Sequence, residues 1–221
     1  MVRPTVVTFA TLLASSCLSV LLIFFRLHYS PSTFYIFLVW NLFLAWIPYI
    51  VSLALYLRYQ QTRRLTVLML FASGVWLLFY PNAPYLLTDL IHLKQKIGVP
   101  LWFDVLMFFS FVWNGLLLGF LSLYQMQHIV KMRRGHLVGW MFVVASLTIT
   151  SLGVYLGRFL RWNSWDILSN PVTLAKDAVH PLIHPLAYSS TLKITSIYTV
   201  FFILAYLMFY AFTHLHSDSK N

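Results

Sequence analysis

Six stretches of this chain are each apolar over the length of a bilayer, and no other feature restricts its fold as much. They cover residues 6–25, 34–57, 65–87, 102–124, 137–160 and 194–212. A helix needs about 20 apolar residues to cross the hydrocarbon core. Backbone groups in lipid must bond internally, so each stretch reads as a helix and not a strand. The expected fold is all-α: one integral-membrane domain over residues 1–221, a polytopic transmembrane helix bundle of about six spans. Composition agrees, with 60% hydrophobic and 9% charged residues, where a soluble domain carries about 25% charged. Residues 13–17, LASSC, resemble a lipoprotein cleavage box. The apolar run continues past Cys17 through Phe25, so the first stretch reads as a retained span.

The formal net charge of +10 would suggest a nucleic-acid partner in a soluble protein. Here the basic residues sit in short connections between spans, no basic face with interleaved aromatics is visible, and nucleic acid is not expected. Six spans put both termini on one side. That side holds Arg3, Arg58, Arg63, Arg64, Lys131, Arg133, Arg134 and Lys220, with Asp218 as its only acid. The opposite side holds Arg26, Lys94, Lys96, Arg158, Arg161, Lys176 and Lys193, with Asp89, Asp104, Asp166 and Asp177. Dense Lys and Arg in short loops mark the cytoplasmic side. The expectation is a multi-pass protein of the cell membrane with both termini cytoplasmic and most of its aspartates outside.

Three stretches on that outer side carry polar chemistry. The first is FYPNAPYLLTDLIHL, residues 79–93. Pro81 and Pro84 break the third span, Asn82 is suited to cap the segment that restarts, and Asp89 and His92 share a helical face. The bland alternative is an interfacial helix whose polar side meets water. The functional one aims Asp89 and His92 inward, since ionisable groups at membrane depth point to a site.

The second is YLGRFLRWNSWDIL, residues 155–168, with Arg158, Arg161, Asn163 and Asp166 between tryptophans. An interface belt accounts for tryptophan and arginine at a helix end. Two outer-side arginines nevertheless run against the topological charge bias, and pairing with Asp89 or Asp166 would offset that cost. The third is DAVHPLIHPL, residues 177–186. His180 and His184 have metal-ligand spacing, but each precedes a proline that disfavours helix. They are weak candidate ligands in an expected surface turn, and no metal or cofactor is assigned. Asn41 and Asn114, each following a tryptophan, read as buried amides that bond neighbouring helices.

The motifs Asn82-x-Pro84-Tyr85-x-x-Thr88-Asp89-x-x-His92-Leu93 and Gly157-Arg158-Phe159-x-Arg161-Trp162-Asn163-Ser164-Trp165-Asp166 are similar to those of a bacterial integral-membrane family catalogued as domain of unknown function 1361. The WNGLLLGFLSL span adds to the likeness, which runs from about Asn41 to the last span. The resemblance implies a multi-pass envelope protein and supplies no catalytic residues.

On chemistry alone, the expected site joins Asp89, His92 and Asp166 as candidate catalytic residues with Asn82, Arg158, Arg161 and Asn163 as binding residues. The arginines would hold an anionic group and Asp89 with His92 would form an acid–base pair. The ligand expected is an anionic lipid or envelope precursor, with membrane lipids as the partners. A small transporter and a non-catalytic structural subunit are the rival readings.

Overall fold

The computed structural model describes residues 2–30, 32–94, 98–184 and 186–214. Lys96, Pro185, Asp218 and Lys220 lie outside the described residues. The elements are α1 (Val2–Tyr29), α2 (Phe37–Thr62), α3 (Val67–Phe79), α4 (Asn82–Tyr85), a 3-10 stretch (Leu86–His92), α5 (Leu101–Arg134), α6 (His136–Phe159), α7 (Asp166–Ser169), α8 (Pro171–Ile183) and α9 (Ser189–His214). A one-turn 3-10 piece (Thr33–Ile36) leads into α2. Six helical segments are long and apolar enough to cross a membrane: Thr5–Tyr29, Thr33–Thr62, Val67–His92, Leu101–Arg134, His136–Phe159 and Ser189–His214. No strand occurs among the described residues.

Helix α5 is the axis of the bundle and touches α1, α2, α4, α6 and α9. Its 34 residues extend about 51 Å at 1.5 Å per residue, well beyond a core of about 30 Å. The apolar run of this span ends at Tyr124, before Gln125, Gln127, His128 and Lys131. The helix nevertheless continues to Arg134, since those polar groups find partners on neighbouring helices. Ser52 Oγ donates to Gln125 Oε1 at 2.7 Å and the Tyr206 hydroxyl donates to Gln127 Oε1 at 2.8 Å. Lys131 Nζ donates to the Tyr210 hydroxyl at 2.8 Å. Gly135, at φ 91°, then makes the whole turn into α6.

The buried amides join helices as expected of them. Asn114 of α5 bonds Ser19 and Ser16 of α1 at 3.0 and 3.4 Å. Trp76 of α3 donates to Ser122 of α5, which donates to the Pro48 carbonyl of α2, at 2.7 and 3.0 Å.

The third span breaks where its prolines predict. Helix α3, capped by Thr66 accepting from Met69 N–H, stops at Phe79, and α4 restarts at Asn82. Asn82 differs from the expected cap. Its Nδ2 donates to the Phe79 carbonyl at 2.9 Å, while Ala83 N–H turns to the Tyr80 carbonyl at 3.2 Å. The amide therefore closes the end of the helix that the prolines interrupt, instead of opening the next one. Close packing sets this kink against α5: a Cβ on Gly115 would fall 2.6 Å from the Ala83 carbonyl oxygen.

One further expectation is corrected. His180 does not sit in a turn but in the last turn of α8, with Pro181 inside the helix. Pro181 has no N–H to bond back along the helix, and α8 ends two residues later, at Ile183.

Candidate functional site

Asp89 lies on the 3-10 stretch with none of its surface exposed. A buried carboxylate in this setting requires partners, and two helices supply them. Asn41 of α2 donates Nδ2 to Asp89 Oδ2 at 2.8 Å, and Arg158 of α6 makes a direct ion pair from Nη2 to Oδ1. The remaining guanidinium donors reach Thr88 Oγ1 at 2.9 Å from Nε and 2.7 Å from Nη2. Thr88 in turn donates to the Tyr85 carbonyl at 2.7 Å. The Tyr85 ring lies 4.5 Å from the guanidinium carbon, in cation–π contact.

His92 stands on the other side of the arginine. Its Nε2 is 2.8 Å from Arg158 Nη1. A guanidinium has only donors, so Nε2 accepts and the ring is the neutral Nδ1–H tautomer. The expected Asp89–His92 pair is thus not formed; Arg158 lies between the two and bonds both. The physical reason is demand for charge compensation: a buried carboxylate gains more from a guanidinium than from an imidazole.

The other candidates are placed as follows. Asp166 opens α7 and accepts from the Asn163 backbone N–H at 2.7 Å, from Asn163 Nδ2 at 3.3 Å and from Ser169 Oγ at 3.4 Å, so its contacts are local. Arg161 is exposed with a left-handed backbone at φ 62°, and among the described residues it forms no ion pair. The turn it makes returns Trp162 N–H to the Leu156 carbonyl at 3.2 Å. His180 and His184 are exposed with ring centroids 5.9 Å apart. No cluster of three or more metal-ligating side chains occurs among the described residues.

Asn82 and Asn163 do come together, around a cavity. Asn82 Nδ2 donates to Ser164 Oγ at 2.9 Å, and Ser164 donates to the Leu78 carbonyl at 3.2 Å. These bonds stitch the loop after α6 onto the break after α3. Between them opens a cavity of about 460 Å³. Leu77, Leu152 and Leu156 form its apolar wall, Gly74 leaves open space, and Leu174 and Ala178 of α8 cover it, while Gly153 and Gly157, also in the lining, accommodate Pro81 and Tyr85. Its polar rim is Asn41, Asn82, Asn163 and Ser164. Trp162 Nε1 donates to Asp177 of α8 at 2.9 Å, which ties the cover to the rim. Asn41 and Tyr85 belong to both the cavity wall and the Asp89–Arg158 cluster. The ion pair therefore sits directly behind the rim.

A second buried pair escaped the sequence reading. Arg26 Nε of α1 meets Asp104 Oδ1 of α5 at 2.7 Å, with the arginine 1% exposed, and Tyr35 lies 4.3 Å from its guanidinium carbon. The available signal was position: both residues fall at the same end of neighbouring spans. Asn41 was legible as a buried amide but not as the partner of Asp89.

These features define an all-helical, multi-pass membrane bundle with a buried, fully partnered ion cluster beside a cavity at its aspartate-bearing end. The chain belongs to the family described as protein of unknown function, DUF1361, whose model matches residues 40–208. The matched segment contains Asn41, Asn82, Asp89, Arg158 and Asn163, whereas Arg26 precedes it. No curated protein and no solved structure matches the chain.

Proposed function

We propose that this protein binds a membrane amphiphile, an anionic lipid or an envelope precursor, drawn from the extracytoplasmic leaflet of a bacterial cell membrane. The cavity carries this reading. Its apolar wall suits an acyl or prenyl chain, its rim suits a headgroup, and about 460 Å³ falls within the usual range for ligand pockets. The charge bias of the connections supports placing the aspartate-bearing end outside and both termini in the cytoplasm.

Arg158 is neutralised by Asp89, so the cation that meets an anionic headgroup is Arg161, exposed beside the rim residue Trp162. Asp89 and His92 are both committed to Arg158, an arrangement that favours recognition over acid–base chemistry. The transporter reading has less support. The polar groups deeper in the bundle, such as Ser52 with Gln125 and Trp76 with Ser122, bond one another.

Gly74 lines the cavity, and a Cβ there would meet nothing within 4 Å. Gly74→Leu should therefore fill the cavity without disturbing the helices. Native mass spectrometry of protein extracted from its own membranes should show a bound amphiphile that Gly74→Leu loses. Identical spectra for the two proteins would end the proposal.

A further inference from the structure

The bonding of the rim amides restricts what a headgroup can offer. Asn41 points its Nδ2 at the Asp89 carboxylate, Asn82 at the Phe79 carbonyl, and Asn163 at the Asp166 carboxylate. Each of those partners only accepts, so chemistry fixes the orientation of all three amides. Their Oδ1 atoms are the groups left over, and none accepts a hydrogen bond among the described residues. Three unpartnered carbonyl oxygens on residues that line one cavity call for hydrogen-bond donors. A phosphate oxygen supplies none to them. An ammonium would also donate, but from a single centre, whereas the hydroxyls of a ring donate from several.

Two indoles complete the rim. Trp40 and Trp165 line the cavity and remain 53% and 42% exposed. Half-exposed aromatic faces beside amide acceptors pack against flat, C–H-rich rings whose edges carry hydroxyls.

Building on the amphiphile reading above, we infer that the headgroup is a sugar. The rim holds a glycosyl ring, whose hydroxyls donate to the oxygens of Asn41, Asn82 and Asn163 and whose face lies on tryptophan. Any phosphate between sugar and chain falls to Arg161.

The test uses the full chain in phosphatidylcholine nanodiscs. Octyl glucoside, octyl phosphate and octylammonium are titrated separately below their micelle-forming concentrations, and binding is followed by calorimetry. Wild type is compared with Gly74→Leu and with Asn163→Ala, whose exposed position makes it the safer variant to fold. The expected result is saturable binding of the glucoside, abolished by Gly74→Leu and weakened roughly three- to tenfold by Asn163→Ala, as loss of one hydrogen bond implies. Gly74-sensitive binding of the phosphate or ammonium probe without the glucoside would overturn the sugar assignment and leave the amphiphile reading standing. Glucoside uptake that ignores both substitutions would overturn it as simple partitioning. No saturable binding of any probe would overturn both.

Discussion

Asn41 and Asp89, 48 residues apart in the chain, are joined by a 2.8 Å hydrogen bond from amide nitrogen to carboxylate oxygen. The bond ties α2 to the segment beyond the proline break, and it leaves the amide oxygen of this cavity-lining residue without a partner among the described residues. One contact thus links the burial of a charge to the chemistry of the pocket. Asn41→Leu should cost about 1–3 kcal/mol of stability, because it strands a buried acceptor. Unfolding followed by circular dichroism in detergent reads this directly, and an unchanged midpoint would separate Asn41 from the cluster.

The ion pair behind the rim makes a sharper prediction. Arg158→Ala leaves a fully buried carboxylate without its cation and should destabilise by about 3–5 kcal/mol. Adding Asp89→Leu should recover most of that loss, since an apolar replacement of a buried pair is often tolerated. A double variant no more stable than Arg158→Ala would mean that the two groups act separately.

Arg161 holds a backbone conformation that glycine adopts freely. Arg161→Gly should therefore leave thermal stability unchanged or raise it, by up to about 1–3 kcal/mol if the strain is fully relieved. Binding of an anionic amphiphile should fall in the same variant. Stability and binding that drop together would make this arginine a structural residue.

Two glycines separate packing from function. A Cβ on Gly115 would press on the Ala83 backbone, so Gly115→Ala should destabilise by about 1–3 kcal/mol through overpacking. Gly74→Ala meets open space and should stabilise by roughly 0.5–1 kcal/mol, the usual gain on removing a helical glycine. Thermal melts of both variants in one detergent test the kink and the cavity together.

The six spans, the break at Pro81 to Pro84 and the affinity of Arg158 for an aspartate were legible in the sequence, because each follows from apolar run length, missing backbone donors or charge at membrane depth. What stayed hidden depends on contacts between distant segments. Nothing near Asn41 indicates that it faces Asp89, and Arg26 and Asp104 lie 78 residues apart. The apolar run of α5 ends at Tyr124, and the linear chain shows no partners for the polar residues beyond it. Tyr206 and Tyr210 of α9 supply them only once the bundle is assembled. His180 stands inside α8 although Pro181 follows it, because the bias of a pre-proline residue away from helix is a local preference that the rest of the helix overrides.

The central proposal is a confined cavity of about 460 Å³ that faces the outside of the cell. Cysteine accessibility in intact cells tests it, with Asn82→Cys placed in a Cys17→Ser background and a small and a bulky membrane-impermeant thiol reagent compared. Labelling by the small reagent alone, prevented by adding Gly74→Leu, is the predicted result. Labelling only after the cells are permeabilised, or equally by both reagents, would contradict it.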